Sequence, residues 1–554
     1  MKGLIDARLA ELCEMYPAWE KKTIWEWFEA TAKRFPTQEF IVTEDGETYT
    51  YEEARASALR VAGGLVALGV KPGDHVALQM ENCARQVLVA LAAAAVGAVK
   101  VPVNICLSAK ELGFVLKQSD SGYLITGCKA QINDGTALQN IIVLPEAECE
   151  APVPMILWDE FLAAGEGTAL PEANEGAADE PSDIIYTSGS TKSPKGVVLT
   201  HDMLMRSAFA SCLNRGFEIG RRVFIPLPLF HAYGYVEGML AAILVGGTIL
   251  LRRGKFLAEP VLSFMLRGRA NDILSVPAQM IALIEYLKEN PVQLPDLHAV
   301  YCSASVCPAW VWGGIRQYLG VSDVITGYGM TEVCGASMQT VPGDGDDILT
   351  TRVGRILPAG CSGMEELSGR QIAYRIVRPK TGEDCPPGEC GELWCRGAVV
   401  THGYYNRPKV NEKAFTADGW FRTGDCGYFD ENGYLVFSGR IDDMYKINGE
   451  NVSPKFLEDV FGNCPQISSS NVVGIPDEKH GYVGAAFLQL YDDTAENRDA
   501  AIEYAKKHLA KFQIPKYFIF MKSGDWPRTS TGKVQKFRLK QMVTAGQLPE
   551  LIKI

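Results

Sequence analysis

The hydrophobic positions of the first hundred residues alternate between two periods. Apolar residues recur at helical spacing over Glu52–Leu68, and this stretch ends in a glycine- and proline-containing turn at Gly69–Asp74. His75–Gln79 then has the short apolar pattern of a strand, Cys83–Ala98 that of an alanine-rich buried helix, and Val101–Val103 that of the next strand. Such alternation indicates parallel sheets with helices on both faces, and therefore an α/β fold.

A change of pattern near residue 440 marks a predicted domain boundary. Asp430–Gly433 is a hairpin-turn sequence between two short apolar segments. The charge balance also changes here, because residues 443–554 carry a net charge of +2 whereas residues 1–442 carry −14. We therefore predict a large domain over residues 1–440 and a smaller one over residues 441–554.

Composition narrows the class of protein. Of the 554 residues, 47% are apolar and 22% are charged, which excludes a disordered, collagen-like or coiled-coil chain. The net charge of −12 disfavours a nucleic-acid partner, since phosphate contacts need a positive surface. The longest apolar runs, Val87–Val99 and Gly238–Leu251, are shorter than the about 20 residues that span a bilayer.

The fifteen cysteines are scattered without a C-x-x-C pair, and no secretory pattern begins the sequence, so we expect free thiols and a cytoplasmic location.

One loop carries the residue types that bind a polyphosphate. In DIIYTSGSTKSPKGVVLTH an apolar strand leads into a hydroxyl-rich turn, and a Lys195-Gly196 pair precedes a second strand; the turn consists of Thr187, Ser188, Gly189, Ser190 and Thr191. Hydroxyls and backbone N–H groups donate to phosphate oxygens, and a lysine supplies charge. It is not a Walker A loop, because the spacing differs and a strand rather than a helix follows. Considered alone, the loop fits a phosphate site and an ordinary surface turn equally well.

Together with five further motifs, this loop makes the chain resemble the adenylate-forming superfamily of acyl-CoA synthetases, firefly luciferases and peptide-synthetase adenylation domains. The motifs follow in the family's order: PLPLFHAYG at Pro226–Gly234, GYGMTE at Gly327–Glu332, TGD at Thr423–Asp425, GRIDDMYKING at Gly439–Gly449 and PRTSTGK at Pro527–Lys533. The PLFHAYG and GRIDD sequences, and QKF at Gln535–Phe537, resemble the motifs of the acyl-CoA synthetase branch. The resemblance implies a large N-terminal domain of αβ-layered sheets with a β-barrel-like subdomain, and a small α+β C-terminal domain joined by a hinge.

The resemblance also implies a site for ATP and Mg²⁺. Glu332 would hold Mg²⁺, for which a carboxylate oxygen is suited, and Thr331 would contact the α-phosphate. Asp425 would accept hydrogen bonds from the ribose hydroxyls, and Arg440 would donate to the same ribose. Lys533 would reach the carboxylate and α-phosphate oxygens. Further nucleotide contacts are expected from the phosphate loop, Lys195, Ser303, Ala304, Ser305, Tyr328, Gly329 and Met330.

The same resemblance predicts the sites of the acid and of CoA. Asp442 would be the hinge about which the small domain turns between two half-reactions, and Lys446 and Gly449 would line a tunnel for CoA. The acyl pocket is expected at one imidazole and three small residues, namely His231, Ala232, Cys334 and Gly335. Such a lining suits an uncharged acyl group of medium size, aliphatic or aryl.

The predicted reaction converts a carboxylate, ATP and CoA into acyl-CoA, AMP and pyrophosphate through an acyl-adenylate. His231 stands where amino-acid-activating relatives usually carry Asp, which disfavours amino-acid activation. Three alternatives stay open: loading of a separate carrier protein, a catalytically silent nucleotide-binding relative, and an oxidising luciferase. Lys192 stands where the family usually has glycine, and we expect a working but slower phosphate loop.

Overall fold

The computed structural model describes residues 2–133, 135–171, 176–187, 194–305, 307–448, 450–528, 534–548 and 551–553. The described strands are β1 Glu39–Thr43, β2 Thr48–Thr50, β3 His75–Gln79, β4 Val99–Pro102, β5 Tyr123–Thr126, β6 Ala130–Gln131, β7 Asn140–Val143, β8 Cys149–Glu150, β9 Met155–Leu157, β10 Pro181–Thr187, β11 Lys195–Thr200, β12 Arg222–Ile225, β13 Thr248–Leu251, β14 Asp272–Ser275, β15 Ala299–Cys302, β16 Asp323–Ile325, β17 Gly327–Met330, β18 Gly335–Gln339, β19 Arg355–Ile356, β20 Ile372–Val377, β21 Gly391–Gly397, β22 Phe421–Phe429, β23 Leu435–Arg440, β24 Tyr445–Ile447, β25 Glu450–Val452, β26 Ile467–Asp477, β27 Gly481–Leu490, β28 Tyr517–Phe520 and β29 Ile552–Lys553.

The described α-helices are α1 Lys2–Met15, α2 Ile24–Arg34, α3 Tyr51–Ala67, α4 Ala84–Ala95, α5 Ala109–Gln118, α6 Trp158–Ala164, α7 His201–Arg215, α8 Ala232–Gly234, α9 Ala241–Leu244, α10 Ala258–Arg267, α11 Pro277–Glu289, α12 Ala309–Gly314, α13 Asp346–Thr351, α14 Pro408–Ala414, α15 Pro454–Gly462, α16 Ala495–His508 and α17 Lys536–Thr544. A π-helical segment, Tyr235–Leu240, joins α8 to α9.

Two large sheets organise the N-terminal part of the chain. Among the described strands, one sheet has the order β16-β15-β14-β12-β13-β1-β2 and the other has the order β11-β10-β4-β3-β5-β7-β9. Most neighbours are parallel, and the pairs β1–β2 and β10–β11 are antiparallel. Crossover helices connect the parallel strands, as the alternating sequence pattern requires. The predicted α/β fold class is confirmed.

Local sequence signals account for the elements around β3. Helix α3 begins with a capping box in which the Thr50 hydroxyl accepts the Glu53 N–H and the Glu53 carboxylate accepts the Thr50 N–H. Strand β3 has the bounds that its apolar pattern predicts. Helix α4 is nearly all buried and ends before Gly97, whose φ of +72° lies in the left-handed region. The predicted end at residue 98 is therefore wrong by three positions.

The largest core lies where helices of the two sheets meet. It contains the apolar faces of α2, α3 and α4, most of α7 and the π-helical segment. The alanine-rich sequence of α4 favours a helix and keeps the side chains small, so neighbouring elements pack closely against it. This core supports the strand ends from which the candidate site is built.

A buried ion pair lies within the sheet that contains β4 and β10. Lys100 on β4 lies opposite Asp183 on the neighbouring strand β10, and its Nζ is 2.5 Å from Asp183 Oδ1. The same ammonium lies 3.7 Å from the ring centroid of Tyr235, in the π-helical segment of the other layer. Both charged side chains are almost completely buried. Each charge therefore depends on the other for compensation.

The rest of the chain forms smaller sheets. Strands β17–β18–β19 form one sheet and β20–β21–β22–β23 another, and no closed barrel occurs among the described strands, where a barrel-like subdomain was expected. Strands β24–β29 form a mixed sheet whose two faces are covered by separate apolar clusters. Between these parts lies a single 3₁₀ turn, Ile441–Asp443. The boundary at residue 440 stays a prediction.

Within the described ranges, we find no helix with both the length and the apolar character needed to cross a membrane.

Removal of the buried ammonium should destabilise the fold. In Lys100→Met the Asp183 carboxylate is left buried without its cation, so we expect a loss of about 3 kcal/mol or more in the free energy of unfolding. Chemical denaturation of the variant measures this loss, and Lys117→Met, at an exposed lysine of α5, is the matched control. Adding Asp183→Asn to Lys100→Met should restore part of the stability. Equal stability of wild type and Lys100→Met would show that the pair contributes nothing.

Candidate functional site

A tight hairpin presents the GYGMTE motif. Strands β17 and β18 pair antiparallel, and a 3₁₀ turn at Thr331–Val333 connects them. A Cβ atom at Gly329 would lie 1.8 Å from the carbonyl oxygen of Gly335, so only glycine fits this position. The hairpin therefore places Tyr328, Met330, Thr331 and Glu332 along one edge.

The expected ribose residues form a connected group. Asp425 on β22 lies opposite Arg440 on β23, and Arg440 Nε donates to Asp425 Oδ1 over 3.1 Å. The Tyr328 hydroxyl donates to Asp425 Oδ2 over 2.8 Å. Burial, together with the Asp425 carboxylate, raises the pKa of the Tyr328 hydroxyl well above its usual range, so Tyr328 remains a donor. Ser303 joins this group because its hydroxyl donates to the Gly327 carbonyl over 2.7 Å.

The resemblance predicts that Ser303, Ala304 and Ser305 contact the adenine of the nucleotide. Ala304 and Ser305 follow Ser303 at the end of β15. Ala304 has a φ of +74°, which is uncommon for a residue with a side chain. Ser305 is exposed next to it. This backbone path turns the chain sharply after β15, beside Ser303, whose hydroxyl contacts the Gly327 carbonyl of the hairpin. Their contact with adenine stays a prediction.

Glu332 has a partner that the sequence did not reveal. The Tyr404 hydroxyl donates to Glu332 Oε1 over 2.9 Å, and the Thr401 N–H donates to the Glu332 carbonyl over 2.8 Å. Burial and the Glu332 charge raise the pKa of Tyr404. Within the described part of the chain, Glu332 Oε2 accepts no hydrogen bond. This oxygen is available to a hard cation, although no group of three ionisable ligands surrounds it among the described residues.

The base of the phosphate loop lies beside Glu332. Thr187 and Lys195 are opposite each other on β10 and β11, and Lys195 Nζ is 4.9 Å from the ring centroid of Tyr404. Tyr404 also bridges to Val197 of β11. One tyrosine thus contacts both the lysine and the carboxylate that the sequence predicted. The loop residues Ser188, Gly189, Ser190, Thr191 and Lys192 lie outside the described residues.

The four predicted acyl-pocket residues come from two segments that meet. A Cβ atom at Gly335, where φ is +113°, would lie 3.7 Å from the Ala232 carbonyl and 3.3 Å from Glu237 Oε1. Cys334 is fully buried, and its Sγ donates to the Val399 carbonyl. Burial lowers the pKa of His231 to about 4, so its imidazole is neutral at pH 7. Its Nε2 has no hydrogen-bond partner among the described residues.

The site residues predicted in the C-terminal part of the chain either lie apart from this group or fall outside the described residues. Asp442 lies in the 3₁₀ turn that directly follows Arg440. Lys446 is exposed on β24. Gly449 and Lys533 lie outside the described residues. Among the described residues near Lys533 in the sequence, the Gln535 N–H donates to the Pro527 carbonyl. The roles predicted for these four residues stay predictions.

Comparison with known proteins supports the interpretation of these motifs. The sequence profile of the AMP-binding enzyme family matches residues 28–405, and that of the AMP-binding enzyme C-terminal domain matches residues 457–533. YngI of Bacillus subtilis, named as an acyl-CoA synthetase, is 32% identical over 94% of this chain and 96% of its own. The mitochondrial medium-chain acyl-CoA ligase ACSF2 of Rattus norvegicus is 27% identical over 94% of this chain and 88% of its own.

A solved structure shares the whole architecture. The o-succinylbenzoate CoA synthetase MenE from Bacillus subtilis, bound to its acyl-adenylate intermediate, is 28% identical and superposes with a TM-score of 0.78. The match covers 94% of this chain and 99% of that enzyme. Another structure of MenE contains ATP and a magnesium ion.

Tyr404→Phe tests the contact with Glu332. Removing the hydroxyl frees the carboxylate to rotate, and loss of such an outer partner weakens metal binding about tenfold or more. Electron paramagnetic resonance titration of Mn²⁺ in the presence of ATP measures this directly. Tyr405→Phe is the matched control, because the neighbouring Tyr405 hydroxyl bonds Asp120 at the surface instead. Unchanged Mn²⁺ affinity in Tyr404→Phe would show that Glu332 does not need its partner.

Proposed function

This chain belongs to the AMP-binding enzyme family, on its acyl-CoA synthetase branch, and we propose that it activates a medium-chain aliphatic or aryl carboxylic acid. It is an ATP-dependent acid–thiol ligase that forms AMP. The acid itself and the roles of individual residues are proposals. The observation that carries them is the convergence of Asp425, Arg440, Tyr328, Glu332 and Lys195 on one group of strand ends.

In the first half-reaction the acid's carboxylate attacks the α-phosphorus of ATP, and pyrophosphate leaves. Negative charge increases on the phosphoryl oxygens, so positioned cations and donors lower the barrier. Lys195, Thr331 and the phosphate loop would supply donors, and Lys533 would bridge the carboxylate and the α-phosphate. Glu332 would hold Mg²⁺, which neutralises phosphate charge when bound. Asp425 and Arg440 would hold the ribose, which orients the α-phosphate for in-line attack.

In the second half-reaction the CoA thiol attacks the acyl carbonyl, and AMP leaves. The proposed hinge at Asp442 would turn the C-terminal domain, so that Lys446 and Gly449 replace Lys533 at the site. A turn of three residues suffices for such a motion, since few backbone angles need to change. CoA is therefore the proposed second substrate.

The acyl pocket supports an uncharged acid. His231 is neutral, and Ala232, Cys334 and Gly335 are small and uncharged, so these four positions offer neither a cation for a second carboxylate nor an anion for an ammonium group. The Glu237 carboxylate next to Gly335 already accepts hydrogen bonds from Ser211, Gln339 and the Ala336 N–H. An apolar pocket discriminates by only about 1–3 kcal/mol per methylene, so we expect a range of chain lengths. We propose a cytoplasmic location, on the basis of the many free thiols.

The first experiment is carboxylate-dependent ATP–pyrophosphate exchange over a panel of aliphatic and aryl acids, with AMP release followed with and without CoA. We expect exchange with medium-chain or aryl acids and CoA-dependent AMP release. Exchange without any effect of CoA would favour a loader of a separate carrier protein. Measurable ATP binding without exchange for any acid would favour a silent relative.

Lys533→Ala tests whether the ATP–pyrophosphate exchange takes place at this site. We expect at least a hundredfold loss of exchange, about the effect of removing a single transition-state donor. Lys522→Ala, at an exposed lysine in the same part of the chain, is the control and should exchange normally.

Gly335→Ala tests the acyl pocket. The added methyl group would point between Ala232 and Glu237 at a positive φ, so we expect a several-fold higher KM for the acid and a shift toward shorter acids. The KM for ATP should stay near the wild-type value. Gly113→Ala is the control, because a Cβ atom there meets open space. An unchanged acid preference would place the pocket elsewhere.

A further inference from the structure

Among the described residues, a hydrogen bond between two serines crosses the junction between the predicted domains. The Ser453 hydroxyl donates to the main-chain carbonyl of Ser438 over 2.6 Å. Ser438 belongs to β23, and Ser453 is the N-cap of α15. The 3₁₀ turn Ile441–Asp443, which contains the proposed hinge, lies between them in the sequence. Rotation of the C-terminal domain at this turn would therefore separate the two groups.

The Ser438 carbonyl is available because β23 has a bulge at this point. Cys426 of β22 pairs with Gly439, whereas the next residue, Gly427, pairs with Phe437. Ser438 is thus the extra residue and has no opposite partner on β22. The bulge lies two residues before Arg440, so the contact is made at the strand end that also holds Asp425.

The Ser453 hydroxyl has two functions at once. The hydroxyl donates a hydrogen bond to the Ser438 carbonyl. Its oxygen also accepts the Phe456 N–H over 3.3 Å and so caps α15. Helix α15 is joined to α17 by an ion pair in which Lys536 Nζ is 2.7 Å from Glu458 Oε1. The contact is therefore made on the side of the C-terminal domain that α15 and α17 form, and α17 begins at Lys536, shortly after the PRTSTGK sequence.

We propose that Ser453 is a positioning residue for the adenylate-forming half-reaction. Its hydroxyl holds the C-terminal domain against β23, in an orientation that leaves Lys446 exposed. The proposal rests on the proposed function, because it assumes two half-reactions with different domain orientations. The bond must break before the thiol step, so its loss slows the first half-reaction without slowing the second.

Two substitutions separate the functions of this hydroxyl. Ser453→Asp keeps an oxygen that caps α15 but has no proton to donate to Ser438. Ser453→Thr keeps both the donor and the acceptor. We expect ATP–pyrophosphate exchange to be about three- to tenfold slower in Ser453→Asp, because this factor corresponds to the net contribution of one hydrogen bond. In Ser453→Thr the exchange rate should stay near that of wild type. Thioester formation from supplied acyl-adenylate and CoA should be at least as fast as in wild type for both variants.

The acid for these assays is the one that the panel identifies, and thermal unfolding is measured in parallel to verify that both variants fold. Equal exchange in wild type and Ser453→Asp would overturn the proposal, and so would equal slowing of both half-reactions or a Ser453→Thr variant as slow as Ser453→Asp. A wild type that exchanges with no acid would overturn the proposed function, and this proposal with it.

Discussion

The carboxylate of Asp425 is the point on which the candidate nucleotide site depends. It accepts hydrogen bonds from Tyr328 on β17 and Arg440 on β23, so it joins strands of two different sheets. A buried carboxylate with two donors has little freedom to rotate, and the strand ends around it become a rigid unit. The ribose hydroxyls of a bound nucleotide would therefore meet an acceptor that is already oriented.

The same strand end lies next to the proposed hinge. Arg440 is the last residue of β23, the bulged Ser438 precedes it, and the turn that contains Asp442 follows it. A bulge leaves one carbonyl without a partner in the sheet, and the Ser453 hydroxyl uses that carbonyl. The residues proposed to hold the nucleotide and those proposed to hold the small domain are thus only a few positions apart.

The acid and the metal share a second rigid unit. The turn Thr331–Val333 presents Glu332 on one side and passes into Cys334 and Gly335 on the other, so the proposed metal and acyl positions belong to one hairpin. Tyr404 orients the Glu332 carboxylate, and buried Glu237 accepts the Ala336 N–H behind the pocket. Desolvation raises the pKa of Glu237. Both buried groups restrain this hairpin, whose strands approach closely at Gly329 and Gly335.

The sequence by itself determined the α/β class, strand β3, the hairpin turn at Asp430–Gly433 and the order of the motifs, because period, turn chemistry and short motifs are local properties. It also indicated Asp425, Arg440 and Glu332, whose neighbours in the chain are distinctive. Only the tertiary structure decided that Tyr404 contacts Glu332 over 72 positions, that Lys100 pairs with Asp183, and that Ser453 contacts Ser438. A lone tyrosine, lysine or serine has no local signature, since the partner that gives it a role is brought close only by folding.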